Sequence, residues 1–104
     1  MEEMTKILAH SKLNKKILEL GSDVFCYVLA EMIEVSYFEG CAILRDCLIE
    51  FEKEYKINTC RENVIQWRNG ITDKRERDLI EKSNEARAAI FHYLKENGLL
   101  KQTI

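Results

Sequence analysis

Residues 72–98, TDKRERDLIEKSNEARAAIFHYLKENG, decide the fold class. Leu79, Ser83, Ala86, Ile90, Tyr93 and Leu94 fall at helical spacing, so they share one stripe with charged residues opposite. Thr72 or Asp73 can cap the start by accepting a bond from a first-turn amide. Asn97-Gly98 supplies a stop, because glycine readily takes the left-handed conformation that closes a helix. The reading is one long amphipathic helix of roughly 25 residues.

The same period continues upstream. Met4, Ile7 and Leu8, then Leu13, Ile17 and Leu20, mark a first helical region closing at Gly21, with His10-Ser11 as a break point. Ser22 can cap a second helix from Asp23 to Glu34. Val24, Phe25, Val28, Leu29, Met32 and Ile33 make that helix apolar around most of its girth. Such a helix belongs at the centre of a core or against a second subunit. Ser36 and Glu39 have capping-box spacing and predict a third helix through Leu44, Cys47, Leu48, Phe51 and Tyr55. Thr59 and Glu62 repeat that spacing and predict a short helix stopping before Gly70. No stretch alternates with the strand period of two, and no linker or internal repeat is present. The expectation is one all-α domain over residues 1–104, a compact bundle of five or six helices.

Composition fits that architecture. A hydrophobic fraction of 46% is too high for a disordered chain, and the lack of proline leaves every helix unbroken. The longest apolar run, Val24–Ala30, falls far short of the ~20 residues that cross a bilayer. The opening MEEMTK has no basic start followed by an apolar stretch, so the expected location is the cytoplasm, without membrane contact. Cys26, Cys41, Cys47 and Cys60 form no C-x-x-C pair, and only His10 and His92 could join them on a metal. They read as reduced, buried thiols, with no metal site. No Gly-rich phosphate loop, G-x-S-x-G or H-E-x-x-H occurs, so no catalysis and no cofactor are expected.

Charge is divided along the chain. Residues 1–52 carry five Lys/Arg and ten Asp/Glu, whereas residues 53–104 carry eleven and eight. An anionic partner should therefore meet the second half. Leu29-Ala30-Glu31-Met32-Ile33-Glu34-Val35-Ser36, continuing to Leu44-Arg45, is similar to the LAE-x-x-x-VS run of many bacterial regulators. Here Glu34 replaces the usual turn glycine, and Gly40 replaces a buried valine or isoleucine. Between Asp23 and Glu52 only Arg45 offsets seven acidic residues, so this stretch would repel phosphates and reads as scaffold.

The second candidate is Lys56–Ile71. Val64 and Trp67 three residues later, then Arg68, Gly70-Ile71 and Ile80-Glu81, resemble the Cro and YdaS-type phage repressor families over Ile57–Ser83. That resemblance implies a helix-turn-helix-like unit in the second half of the chain. It also implies a small DNA-binding transcription regulator of phage or mobile-element type, working as a homodimer on duplex DNA. Ile57 and Val64 stand two residues farther apart than in those families, and Glu54 falls near a usual alanine.

At 100° per residue, Cys60, Val64 and Trp67 share one side of this helix, while Glu62, Asn63, Gln66 and Asn69 face away. Amides of the Asn and Gln type can pair with adenine in the major groove. Arg61 and Arg68 flank that face and could reach phosphates. Lys74, Arg75 and Arg77 crowd the start of the last helix, where the macrodipole disfavours cations and a phosphate would explain them. Lys53–Arg77 holds seven basic and four acidic residues, a local +3. Trp67 is expected to be largely buried between the short helix and the last one. The alternative class is a helical protein-binding module, an inhibitor, antitoxin or adaptor, acting through the acidic, aromatic first half. Its expected anchors are Tyr27, Tyr37 and Phe38, which a core this small cannot easily enclose together.

Overall fold

The computed structural model describes residues 13–96 and Gly98, and helix accounts for 81% of them, with no strand. Helix α1 covers residues 13–20, α2 Ser22–Glu34, α3 Phe38–Tyr55, α4 Val64–Asn69 and α5 Asp73–Glu96. These are five helices among the described residues; Met4, Ile7, Leu8, His10-Ser11 and Asn97 lie outside them.

Helix α2 is the hub, packing against α5, α3 and α4. Its residues Val24 to Ala30 are buried without interruption, because neighbours cover every side of the helix. That placement is what the apolar girth of the sequence requires. From α3 come Cys41, Leu44, Cys47, Leu48 and Phe51, and from α5 come Leu79, Ala86, Ile90, Tyr93 and Leu94. The whole predicted stripe of α5 is buried, including Ser83, whose hydroxyl donates to the Ile80 carbonyl at 2.7 Å. A buried hydroxyl satisfied within its own helix costs the core little.

Helix ends differ from the sequence reading at three places. Gly21, and not Ser22, is the N-cap of α2; its φ of 104° suits glycine, and its N–H bonds the Ile17 carbonyl at 2.8 Å. One residue thus closes α1 and opens α2. Ser36 does not cap α3. It takes a left-handed φ of 61° and donates its N–H to Ile33, while Tyr37 N–H reaches Met32, so this turn closes α2 instead. The third difference is at Thr59, whose hydroxyl and N–H both bond Glu52. Thr72 does act as the cap of α5: its hydroxyl accepts from Arg75 N–H at 3.3 Å. Gly98, with φ 66° and its N–H on Lys95, follows the far end.

Gly40 is a point of close approach. A Cβ there would stand 2.5 Å from both Met32 Cε and Tyr37 Cε2. The valine or isoleucine of the regulator-like pattern would have to displace these side chains at this position.

Candidate nucleic-acid interface

The connection from α3 to α4 is built on Glu52. Lys56 ends α3 in a left-handed conformation, and the chain then turns under the Glu52 carboxylate. Thr59 donates to it from its N–H at 2.8 Å and from its hydroxyl at 2.7 Å, and Arg61 Nε donates at 3.0 Å. Burial resists ionisation of Glu52, but these bonds from Thr59 and Arg61 outweigh it and hold its carboxyl below the usual range. Thr59 is thereby engaged by Glu52, and the predicted Thr59/Glu62 capping box does not form. Helix α4 starts at Val64 instead, with Asn63 at the N-cap.

Lys56 to Asn63 separates the two helices, longer than the three or four residues of a compact helix-turn-helix. Helix α4 packs chiefly on α2, with Val64 buried. Neither α3, as in a tight helix pair, nor α5, as expected for Trp67, is its main support. Trp67 is half-buried rather than enclosed, and borders a depression with Asp23, Gly70, Ile71 and Arg75. Trp67→Ala should therefore cost about 2 kcal/mol, less than a full core truncation. Urea denaturation measures this, and a cost above about 4 kcal/mol would mean a fully enclosed ring.

Asn63, Gln66 and Asn69 are all exposed on the outer side of α4, and Lys74, Arg75 and Arg77 are exposed on the first turns of α5. The arginines divide into two kinds. Arg61 is half-buried on Glu52; Arg68 is half-buried, paired with Glu34 and 6.0 Å over the Tyr27 ring. Arg75 pairs with Asp23. Lys74 and Arg77 enter no ion pair among the described residues. Glu52, Glu34 and Asp23 all lie outside Lys53–Arg77, so their three pairs cancel the local +3 read from the sequence.

The aromatic anchors separate too. Tyr27 is a core residue roofed by Arg68, and its phenol is pushed up by burial and then by the charges of Glu76 and Glu31. Tyr37 is half-buried, leaving only Phe38, 64% exposed, in the open. The sequence reading missed Val35 and Phe91, exposed by 75% and 52%. They border an apolar groove of about 300 Å³ between α2 and α5, with Met32, Tyr37, Ile90 and Leu94. Phe91 lies one position off the α5 stripe, which was the available signal. Glu31 and Arg87, paired at 2.6 Å, stand at the groove's edge.

Cys26, Cys41 and Cys47 are buried, as expected of small hydrophobes, whereas Cys60 is half-buried. Among the described residues no three His, Cys, Asp or Glu side chains converge as metal ligands, and no helix is long and apolar enough to cross a membrane. In comparisons with known proteins, no family model, curated protein or solved structure matches the chain.

Proposed function

We propose that the protein is a small helical DNA-binding regulator that presents the outer face of α4 to the major groove. The observation that carries this reading is the exposure of Asn63, Gln66 and Asn69, together with that of Lys74 and Arg77, which enter no ion pair among the described residues. The amides have the donor and acceptor pair that adenine demands, and the two cations stand where a phosphate would complement the N-terminus of α5. Arg61 and Arg68 hold α4 in place through Glu52 and Glu34, so their contribution is positional. A six-residue helix reads few bases, so a homodimer on two half-sites would supply the remaining specificity. No cofactor is required for this activity. A phage or mobile-element origin rests on the resemblance of Ile57–Ser83 alone.

Titration of duplexes at two salt concentrations tests the reading. Joint Lys74→Ala and Arg77→Ala substitution should weaken binding to every sequence and reduce the salt slope by about 2, one counterion per lost phosphate contact. Gln66→Ala should instead relax preference at one base by about 1–3 kcal/mol. Failure of the wild-type protein to bind any duplex at micromolar concentration and low salt would end the DNA reading.

A second reading, a helical protein-binding module, is favoured by the apolar groove bordered by the exposed Val35 and Phe91, and by the separately exposed Phe38. It uses Val35 and Phe38 of the first half, without Tyr27, together with Phe91 of the second. Phe91→Glu would abolish partner binding under this reading and leave duplex titrations unchanged.

A further inference from the structure

Among the described residues, Arg75 is the one cation on the first turns of α5 that enters an ion pair, and its partner is Asp23 at the start of α2. The two oxygens of Asp23 have different partners. Oδ1 accepts from the Val24 N–H at 3.0 Å, within the opening turn of α2. Oδ2 accepts from Arg75 Nη2, across the fold. Asp23 and Arg75 border one depression together with Gln66, Trp67, Gly70 and Thr72, so the pair stands beside an amide proposed to read bases. The pair is also open. The Arg75 side chain is 53% exposed, against 22% for Arg61 and 20% for Arg68. Those two arginines are largely enclosed where they hold α4, whereas Arg75 is within reach of an external anion.

We propose that Asp23 is an autoinhibitory residue whose carboxylate withholds Arg75 from nucleic-acid phosphate. The inference rests on the reading of α4 and the start of α5 as a DNA face. The paired side chains carry no net charge, so they add little to the attraction exerted by Lys74 and Arg77. A phosphate that took Arg75 would leave the Asp23 carboxylate unpaired beside it. Two anions in one depression repel, and the bond from Val24 holds Asp23 in place. Arg75 therefore stays silent while Asp23 is charged. Removing that charge frees one guanidinium for one phosphate. Phosphate contacts carry no sequence information, so every duplex gains alike and the base preference set by Gln66 is untouched.

The test compares the full chain with Asp23→Asn, Arg75→Ala and the double variant, titrating random and genomic duplexes at about 50 and 200 mM salt. Asp23→Asn keeps an oxygen for the Val24 N–H, and circular dichroism checks its fold. Asp23→Ser repeats the test with a second side chain suited to a helix start. Asp23→Asn should bind every duplex more tightly, with a salt slope steeper by about 0.9, the value of one phosphate contact. Its advantage over the unsubstituted protein should shrink about 3.5-fold across that roughly fourfold rise in salt. In the Arg75→Ala background the same substitution should leave the slope unchanged, because no guanidinium is there to free. A slope unchanged by Asp23→Asn, a slope steepened equally without Arg75, or a gain confined to one sequence would overturn the proposal and leave the DNA reading standing. Failure of all four proteins to bind any duplex at micromolar concentration and low salt would end the DNA reading, and this inference with it.

Discussion

Phe25→Ala should destabilise the protein by about 3–5 kcal/mol, the range for large aromatic truncations in a core. Phe25 is fully buried on α2, the helix against which α3, α4 and α5 all pack. The space left by its ring would be bounded by several helices, each held by the others, so little collapse could fill it. A domain of this size has a total stability of about 5–15 kcal/mol, so one substitution removes a large share. Chemical denaturation with an unchanged m-value would report it. A cost below about 1 kcal/mol would remove α2 from the centre of the fold.

Glu52→Ala should cost about 2–3 kcal/mol at neutral pH, through a different mechanism. Its carboxylate accepts three bonds from the α3–α4 connection, two from Thr59 and one from Arg61. Without it the Thr59 amide loses its acceptor and the half-buried Arg61 loses a counter-charge. Hydrogen exchange should accelerate over residues 56–63 while the α5 stripe stays protected. Because the folded carboxyl lies below its usual value of 4.5, the stabilisation it supplies is complete above that value. It is lost as pH falls through the lower folded value. Glu52→Gln should therefore flatten the acid limb of the stability profile. An unchanged acid limb would show that the Glu52 cluster does not fasten the connection.

Periodicity made the helices legible, and α5 most of all, since its buried stripe follows the 3.6 repeat without a gap. The caps at Ser36 and Thr59 were not legible in the same way. A capping box is a local spacing, and each residue had a competing use that spacing does not encode. Ser36 closes the preceding helix, and Thr59 bonds a carboxylate seven residues earlier. Charge was misread for a related reason. Counting along the chain set a negative half against a positive half, but Asp23 meets Arg75 and Glu31 meets Arg87 across the helix interface. The opposition of the halves is in part a contact within the molecule. In the candidate interface, the outward polar face of α4 was readable from helical angles. The engagement of Arg61 and Arg68 was not, because both partners lie on other elements.

The central position of α2 also bears on the order in which the chain is made. The ribosome releases α2, the most apolar helix described, well before α5, which covers much of it. Until then α2 lacks the cover of α5, and the nascent chain carries an exposed apolar surface. The carboxylates of Asp23, Glu31 and Glu34 are at that stage without Arg75, Arg87 and Arg68, and give α2 a net negative charge. Like charges on neighbouring nascent chains repel, which keeps such surfaces apart during synthesis. The same carboxylates that later bind arginine across the folded interface thus act first as a solubilising edge on an unfinished protein.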